Sequence, residues 1–291
     1  MASRKGSAGY ALIGVLVCLL VLGLLAWAVV RWWRNETLPA AVPARERCVA
    51  TVAGQTAELA LDQAHFAAII SGVSVQRGLP PRAATIALAT AFQESDMRNI
   101  DYGDRDSIGL FQQRPSQGWG TVEQIMDPHY ATNKFYDALV KVPSWQTGDV
   151  NDVAQQVQRS GVPDGYRKHV ERARILASAL SGETEAAFTC LVRDPKPANP
   201  EGYRTLMRKT YGGMAPVTLV ATPPGRADVS VANARALWAV AAATQAWAAG
   251  HGIGEVAVGD RVWTSSSTTL PTWSTSSAPA SSPGGLVARF R

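Results

Sequence analysis

The first sustained apolar run in the chain is also its longest. ALIGVLVCLLVLGLLAWAVV, residues 11 to 30, contains no charge and no proline, and a helix of that length spans the hydrocarbon core of a bilayer. Trp32 and Trp33 follow as interfacial aromatics do, with Arg31 and Arg34 placed to reach headgroups. The competing reading is a cleaved signal peptide, whose apolar core is usually about 7–15 residues and ends at a small-residue site. LPAAVPA at 38–44 is a poor version of such a site. The pattern predicts a cytoplasmic tail at 1–10, a transmembrane anchor at 11–33 and a short linker at 34–47.

Beyond the linker, apolar positions recur mainly at helical spacing. LDQAHFAAIISGVSVQRG (61–78) predicts a helix with Asp62 near its start and Gly78 as its stop. LPPRAATIALATAFQES (79–95) predicts a second, led in by Pro80 and Pro81 and apolar on nearly every face, the mark of a helix at a domain centre. Residues 100–120 are rich in Gly, Asp and Ser and read as loop. Further helical stretches follow in 121–142, broken near Asp127-Pro128, then in 150–161 and 163–182, the last two closed by glycine. Together these predict a mainly-α domain over 48–190.

DPKPANP introduces a proline-rich linker, 191–200, after which the style changes. A short helix at 201–213, a strand at 215–224, a long Ala/Trp helix at 227–252, a hairpin turning at Gly259-Asp260 and a last strand at 285–291 predict a small α+β module over 201–291. Residues 265–285 are low-complexity and read as mobile. His251, beside Gly250, reads as a solvated surface histidine.

Charge narrows the functional classes. The formal net charge is +5, but the first 34 residues hold four basic residues and no acidic one, so the body is almost neutral. A nucleic-acid binder normally displays a basic face or stripe, so no nucleic-acid partner is expected. Of the three cysteines, Cys18 lies in the apolar run, leaving Cys48 and Cys190. They are either separate buried thiols or a disulfide closing a long loop, and a disulfide would place the body outside the cytoplasm.

The candidate chemistry sits in QESDMRNIDYGDRDSIGLFQQR, residues 93–114. Glu94 falls in the last turn of the apolar helix. Apolar surroundings and the negative helix C-terminus both disfavour its charged form, which suits a general acid. Alternatively the helix emerges into water there, and Glu94 is a surface residue. Asp101, Asp104 and Asp106 in the following loop bring a second carboxylate within reach, and paired carboxylates are the usual means of glycoside hydrolysis. Trp119 offers either a flat surface for a sugar ring or an ordinary rim tryptophan.

Glu94-Ser95 followed by Ser107-Ile108-Gly109-Leu110-Phe111-Gln112 resembles the Glu-Ser … Ser-x-x-Gly-Leu-Met-Gln signature of lytic transglycosylases and goose-type lysozymes. Gly103-Asp104-Arg105 ahead of it is similar to the goose-type pattern. The resemblance covers roughly residues 60–180. It implies an α-rich lysozyme-like fold and cleavage of the β-1,4 bond between N-acetylmuramic acid and N-acetylglucosamine, without metal or organic cofactor. Glu94 is then the general acid and Asp104 the second catalytic carboxylate. Ser95, Ser107, Gln112, Trp119 and, before the closing helix, Tyr166 are the substrate-binding candidates. The sequence departs from those families at Phe111, where Met is usual. It departs again at Arg114, where goose-type enzymes carry aspartate, and in lacking an Ala-Tyr-Asn-Ala-Gly segment, whose place VAQQVQRSG takes. The whole chain also resembles a group of actinobacterial membrane proteins, some of them labelled heavy-metal transporters. One span cannot build a solute pathway, and no residue cluster has metal-ligand spacing.

The expectation is a single-pass protein of the cell membrane with an extracytoplasmic muralytic body and peptidoglycan strands as its partner. A non-catalytic peptidoglycan-binding scaffold is the alternative, and an accessory protein of a transporter comes last.

Overall fold

A computed structural model describes residues 7–37, 44–221, 225–277 and 281–291. Parts of the expected tail (1–6) and linker (38–43), the side chains of Trp33 and Arg34, the end of the strand expected at 215–224, and 278–280 lie outside the described residues. Residues 1–44 and 45–291 form two separate compact units. The first is one helix, α1 (Ser7–Thr37), in which Val15–Trp32 is long and apolar enough to cross a membrane.

The second unit is α+β. It begins with an antiparallel hairpin that helical periodicity does not announce, β1 (Arg47–Val52) and β2 (Gln55–Leu59). Its two-residue turn, Ala53-Gly54, takes positive φ at both positions, as a tight hairpin requires. Two helices of the predicted mainly-α segment follow, α2 (Leu61–Gln76) and α3 (Pro81–Ser95). Pro81 starts α3 where a missing N–H costs nothing. Its alanines let neighbours approach from all sides, so Ala83, Ala84, Ile86, Ala87, Leu88, Ala89 and Ala91 are fully buried.

Helix α4 (Val122–Met126) packs on α5 (Pro128–Leu139), which together with α6 (Val150–Gln158) and α7 (Val170–Leu180) packs against α3. Asp127 explains the break between α4 and α5. Its carboxylate accepts from the His129 and Tyr130 amides and caps α5, whose first residue is Pro128. Strand β3 (Phe188–Leu191) then returns to β1, completing a three-stranded sheet in the order β2-β1-β3. Cys48 and Cys190 are direct partners across β1 and β3 and are joined by a disulfide.

The C-terminal elements are α8 (Pro200–Tyr211), β4 (Val217–Val220), β5 (Arg226–Ser230), α9 (Ala234–Ala246), α10 (Ala248–His251), β6 (Ile253–Val258), β7 (Arg261–Thr264), β8 (Ser274–Thr275) and β9 (Gly285–Phe290). The strands form one antiparallel sheet, order β4-β5-β9-β6-β7-β8. The long helix expected from 227 is shorter. Ala227-Asp228-Val229-Ser230 alternates buried and more exposed positions and pairs as a strand, and Asn233 caps α9 only afterwards.

The segment after the proline-rich 191–200 is packed into the same compact unit as the helices before it. Helix α9 packs on α2 and α7 as well as on β3 and β6. At Gly182 a side chain would lie 1.9 Å from the Arg235 carbonyl, so the approach of α7 to α9 requires glycine there. The low-complexity stretch that reads as mobile is tied down in part. Trp273 donates to the Phe188 carbonyl and packs edge-on against Trp238, 5.2 Å between ring centroids.

Candidate functional site

Glu94 lies one residue before the end of α3, and the chain beyond it turns in an unusual way. Asp96 and Met97 both adopt left-handed backbone conformations, φ 50° and 61°, without glycine. Non-glycine residues rarely adopt that region, and such residues cluster where surrounding structure holds them for a purpose. The brace here is visible. The Asp96 carbonyl accepts from Gln63 of α2, and Arg98 pairs with Asp62 at 2.9 Å and with Asp96.

Ser95 strengthens the same junction. Its hydroxyl donates to the Leu110 carbonyl at 2.8 Å, tying the acid-bearing helix to the Gly-Leu-Phe-Gln turn. Ile108 and Gln113 close that turn by exchanging backbone hydrogen bonds. Leu110 and Phe111 are fully buried, and Phe111 stacks on Phe135 at 4.6 Å between ring centroids, so its ring fills apolar space behind the turn. Gly103 admits the Gln112 amide: a Cβ there would lie 1.8 Å from Gln112 Oε1.

These elements leave a cleft of about 430 Å³ lined by Glu94, Asp104, Ser107, Gln112, Trp119 and Gln158, among others. Five of the sequence candidates, Glu94, Asp104, Ser107, Gln112 and Trp119, therefore share one cleft. Ser95 and Tyr166 are buried beneath it, Ser95 as the tie just described and Tyr166 as a direct partner of the acid.

The Tyr166 hydroxyl donates to Glu94 Oε1 at 2.6 Å. Its amide is held in turn by Asn151 Oδ1 on α6, at 3.2 Å. Burial raises the Glu94 pKa above the ordinary carboxyl value, while donation from Tyr166 and Gln158 lowers it; burial prevails. Tyr166 is itself pushed upward by burial and then by the Glu94 charge, so it stays a protonated donor. Removing this donor in Tyr166→Phe is expected to raise the Glu94 pKa further. The Glu94 carboxyl titration, followed by NMR, should move to higher pH, with the fold intact by circular dichroism. A titration that stays in place would separate Tyr166 from the Glu94 pKa.

The second carboxylates behave unequally. The Asp104 side chain is 90% exposed at the cleft margin, and its only ion-pair neighbour among the described residues is Arg105 at 3.9 Å. Asp106 is committed to structure: it accepts from Arg114 Nε at 2.7 Å and from the Ser116 amide at 2.8 Å. These donors hold its carboxyl well below the usual carboxylate range. Arg114 thus has its own counter-ion eight residues earlier.

Gln158 escaped the sequence reading. It sits at the end of α6, donates to the Phe111 carbonyl at 2.6 Å and lies close enough to Glu94 to lower its pKa, while among the described residues its buried Oε1 has no hydrogen-bond partner. The available signal was VNDVAQQVQ, a helix of about two and a half turns whose valines are buried at helical spacing with glutamines beside them. A further cavity of about 560 Å³ gathers three of the four histidines, His65, His129 and His251. His251 is thus partly buried, not a solvated surface residue, and burial lowers its pKa. Burial, then the proximity of His251, His129 and Lys196, lowers His65 to about 4. Among the described residues no group of His, Cys, Asp and Glu is arranged to hold a metal ion. In comparisons with known proteins, no family model matches the chain and no curated protein matches it.

Proposed function

We propose that this chain is a membrane-anchored muralytic enzyme with a lysozyme-like, extracytoplasmic body that cleaves the β-1,4 bond between N-acetylmuramic acid and N-acetylglucosamine. The observation that carries the reading is Glu94: half-buried, biased toward its protonated form, oriented by a 2.6 Å hydrogen bond from Tyr166, and open to a polar cleft. A disulfide between Cys48 and Cys190 supports an oxidising, extracytoplasmic setting, and the apolar helix supports the anchor.

In this mechanism a sugar ring rests against Trp119 while Glu94 donates its proton to the glycosidic oxygen. The C1–O4 bond breaks, leaving positive charge on the muramoyl ring. Two nucleophiles are chemically available, a water or the muramoyl 6-hydroxyl. The exposure of Asp104 and the engagement of Asp106 with Arg114 favour the second, which needs one carboxyl only. The 6-hydroxyl attacks C1, its proton passes to the Glu94 carboxylate, and a 1,6-anhydro end results. The cycle then closes with Glu94 protonated again and no water consumed.

The test is digestion of purified peptidoglycan by the full-length protein in detergent, with products analysed by mass spectrometry. Anhydro-muropeptides are expected. Reducing ends would assign the attack to water and Asp104, and binding without release would convert the enzyme into a wall-tethered scaffold.

A further inference from the structure

The cleft that holds Glu94 does not end at Trp119. A second cleft of about 750 Å³ shares Gln117, Trp119, Gln158 and Arg159 with it and continues toward Lys134 and Lys141. Its charge is one-sided. Asp137 is the sole carboxylate in its lining, and that group is paired with Arg77 at 2.8 Å. Lys134 lies 5.5 Å over the Tyr130 ring, and among the described residues none of Lys134, Lys141 and Arg159 has an acidic partner. This contrasts with Arg114, which is neutralised by Asp106 in the inner cleft.

Arg159 stands where the two clefts meet. It ends α6 in a left-handed conformation, φ 54°, with its amide on the Gln155 carbonyl at 2.7 Å. Glycine or asparagine usually fills such a helix end, and here the position carries a cationic side chain instead. Helix α5 supplies Lys134 and the turn after it supplies Lys141, so all three cations are fixed to elements that also wall the cleft.

We propose that this outer cleft binds an anionic substituent of the glycan strand, a carboxylate or phosphate, through Lys134, Lys141 and Arg159. The inference rests on the muralytic reading of the Glu94 cleft and adds a selectivity to it: charged wall glycan is held more tightly than uncharged polymers of the same sugar. Two sources carry the required chemistry, the carboxylates of muramoyl groups with their peptides, and phosphodiesters of polymers attached to the glycan.

The test uses the full-length chain in detergent, silenced by Glu94→Gln so that binding is read without turnover. Calorimetric affinities are compared for this protein and for the same protein carrying Lys134→Gln, Lys141→Gln and Arg159→Gln. The probes are a neutral chito-oligosaccharide, a peptide-bearing muramoyl oligomer, the same oligomer with its carboxylates amidated, and a poly(glycerol phosphate). Exposed ion pairs contribute about 0.2–1 kcal/mol each, so the triple change should weaken the anionic probes by about three- to a hundred-and-fiftyfold and leave the neutral one unchanged. A loss confined to the carboxylate oligomer names muramoyl and peptide groups as the source, and a loss confined to the phosphate polymer names the phosphodiesters. Equal losses on neutral and anionic probes, or none on any, would overturn the proposal. Binding of the phosphate polymer alone, with no glycan bound, would keep the anion site and sink the glycan reading.

Discussion

Glu94→Gln is expected to lower glycan cleavage by about 10²–10⁴-fold, the contribution of a positioned general acid. Glutamine keeps the shape and can still accept from Tyr166 Oη, so loss of the proton is nearly the whole change. The same substitution makes a second prediction that does not depend on any substrate. Burial raises the folded-state pKa of Glu94 above the ordinary 4.5. The stability it contributes is therefore fully present below that ordinary value and is lost as pH rises through the folded one. Glutamine has no charge to desolvate, so the variant should be the more stable protein at neutral pH, and its advantage should shrink toward pH 4. Denaturant unfolding at several pH values reads this directly. A variant that loses activity yet gains nothing at neutral pH would contradict the burial-driven shift.

Removing the disulfide should produce the largest loss of stability. Cys48 and Cys190 are 142 residues apart in sequence, and cross-linking a loop of that order constrains the unfolded chain by about 5 kcal/mol in the chain-entropy model. For a unit of this size each kcal/mol moves the melting temperature by about 2–4 °C, so Cys48→Ala with Cys190→Ala should lower it by about 10–20 °C. Both sulfurs are fully buried between β1 and β3, so the lost packing adds to the loss. A change of only 1–2 °C would mean that the sheet and the helices packed on it already hold the loop ends together in the unfolded ensemble.

The helices were legible because their apolar residues recur at helical spacing and their ends carry chemistry: Pro81 at the start of α3, Asp127 before α5, Asn199 before α8. The β1–β2 hairpin was not, since its turn is Ala-Gly and β1 buries three consecutive residues, Cys48, Val49 and Ala50, leaving little alternation to see. Strand β5 was absorbed into the helix after it because Ala and Val suit both states, and only pairing with β4 and β9 decides. In the cleft, Glu94, Asp104, Ser107, Gln112 and Trp119 could be read from motif spacing. The partners that set the acid's behaviour could not. Tyr166 was visible only as a loose match, and Gln158 not at all, because both reach Glu94 through folds of the chain more than sixty residues away. Asp106 and Arg114 looked like a spare acid and a misplaced base until their ion pair joined them.

The bond between β1 and β3 also decides how the body would bear a mechanical load. A pull applied between Ala44 and the C-terminal segment enters at β1, crosses the Cys48–Cys190 sulfurs and leaves along β3. Every residue from 49 to 189 lies outside that covalent path, including α3, α6 and the whole of the Glu94 cleft. Tension along the chain therefore runs past the acid without stretching the helices that hold it. Only reduction of one bond would put those helices under force.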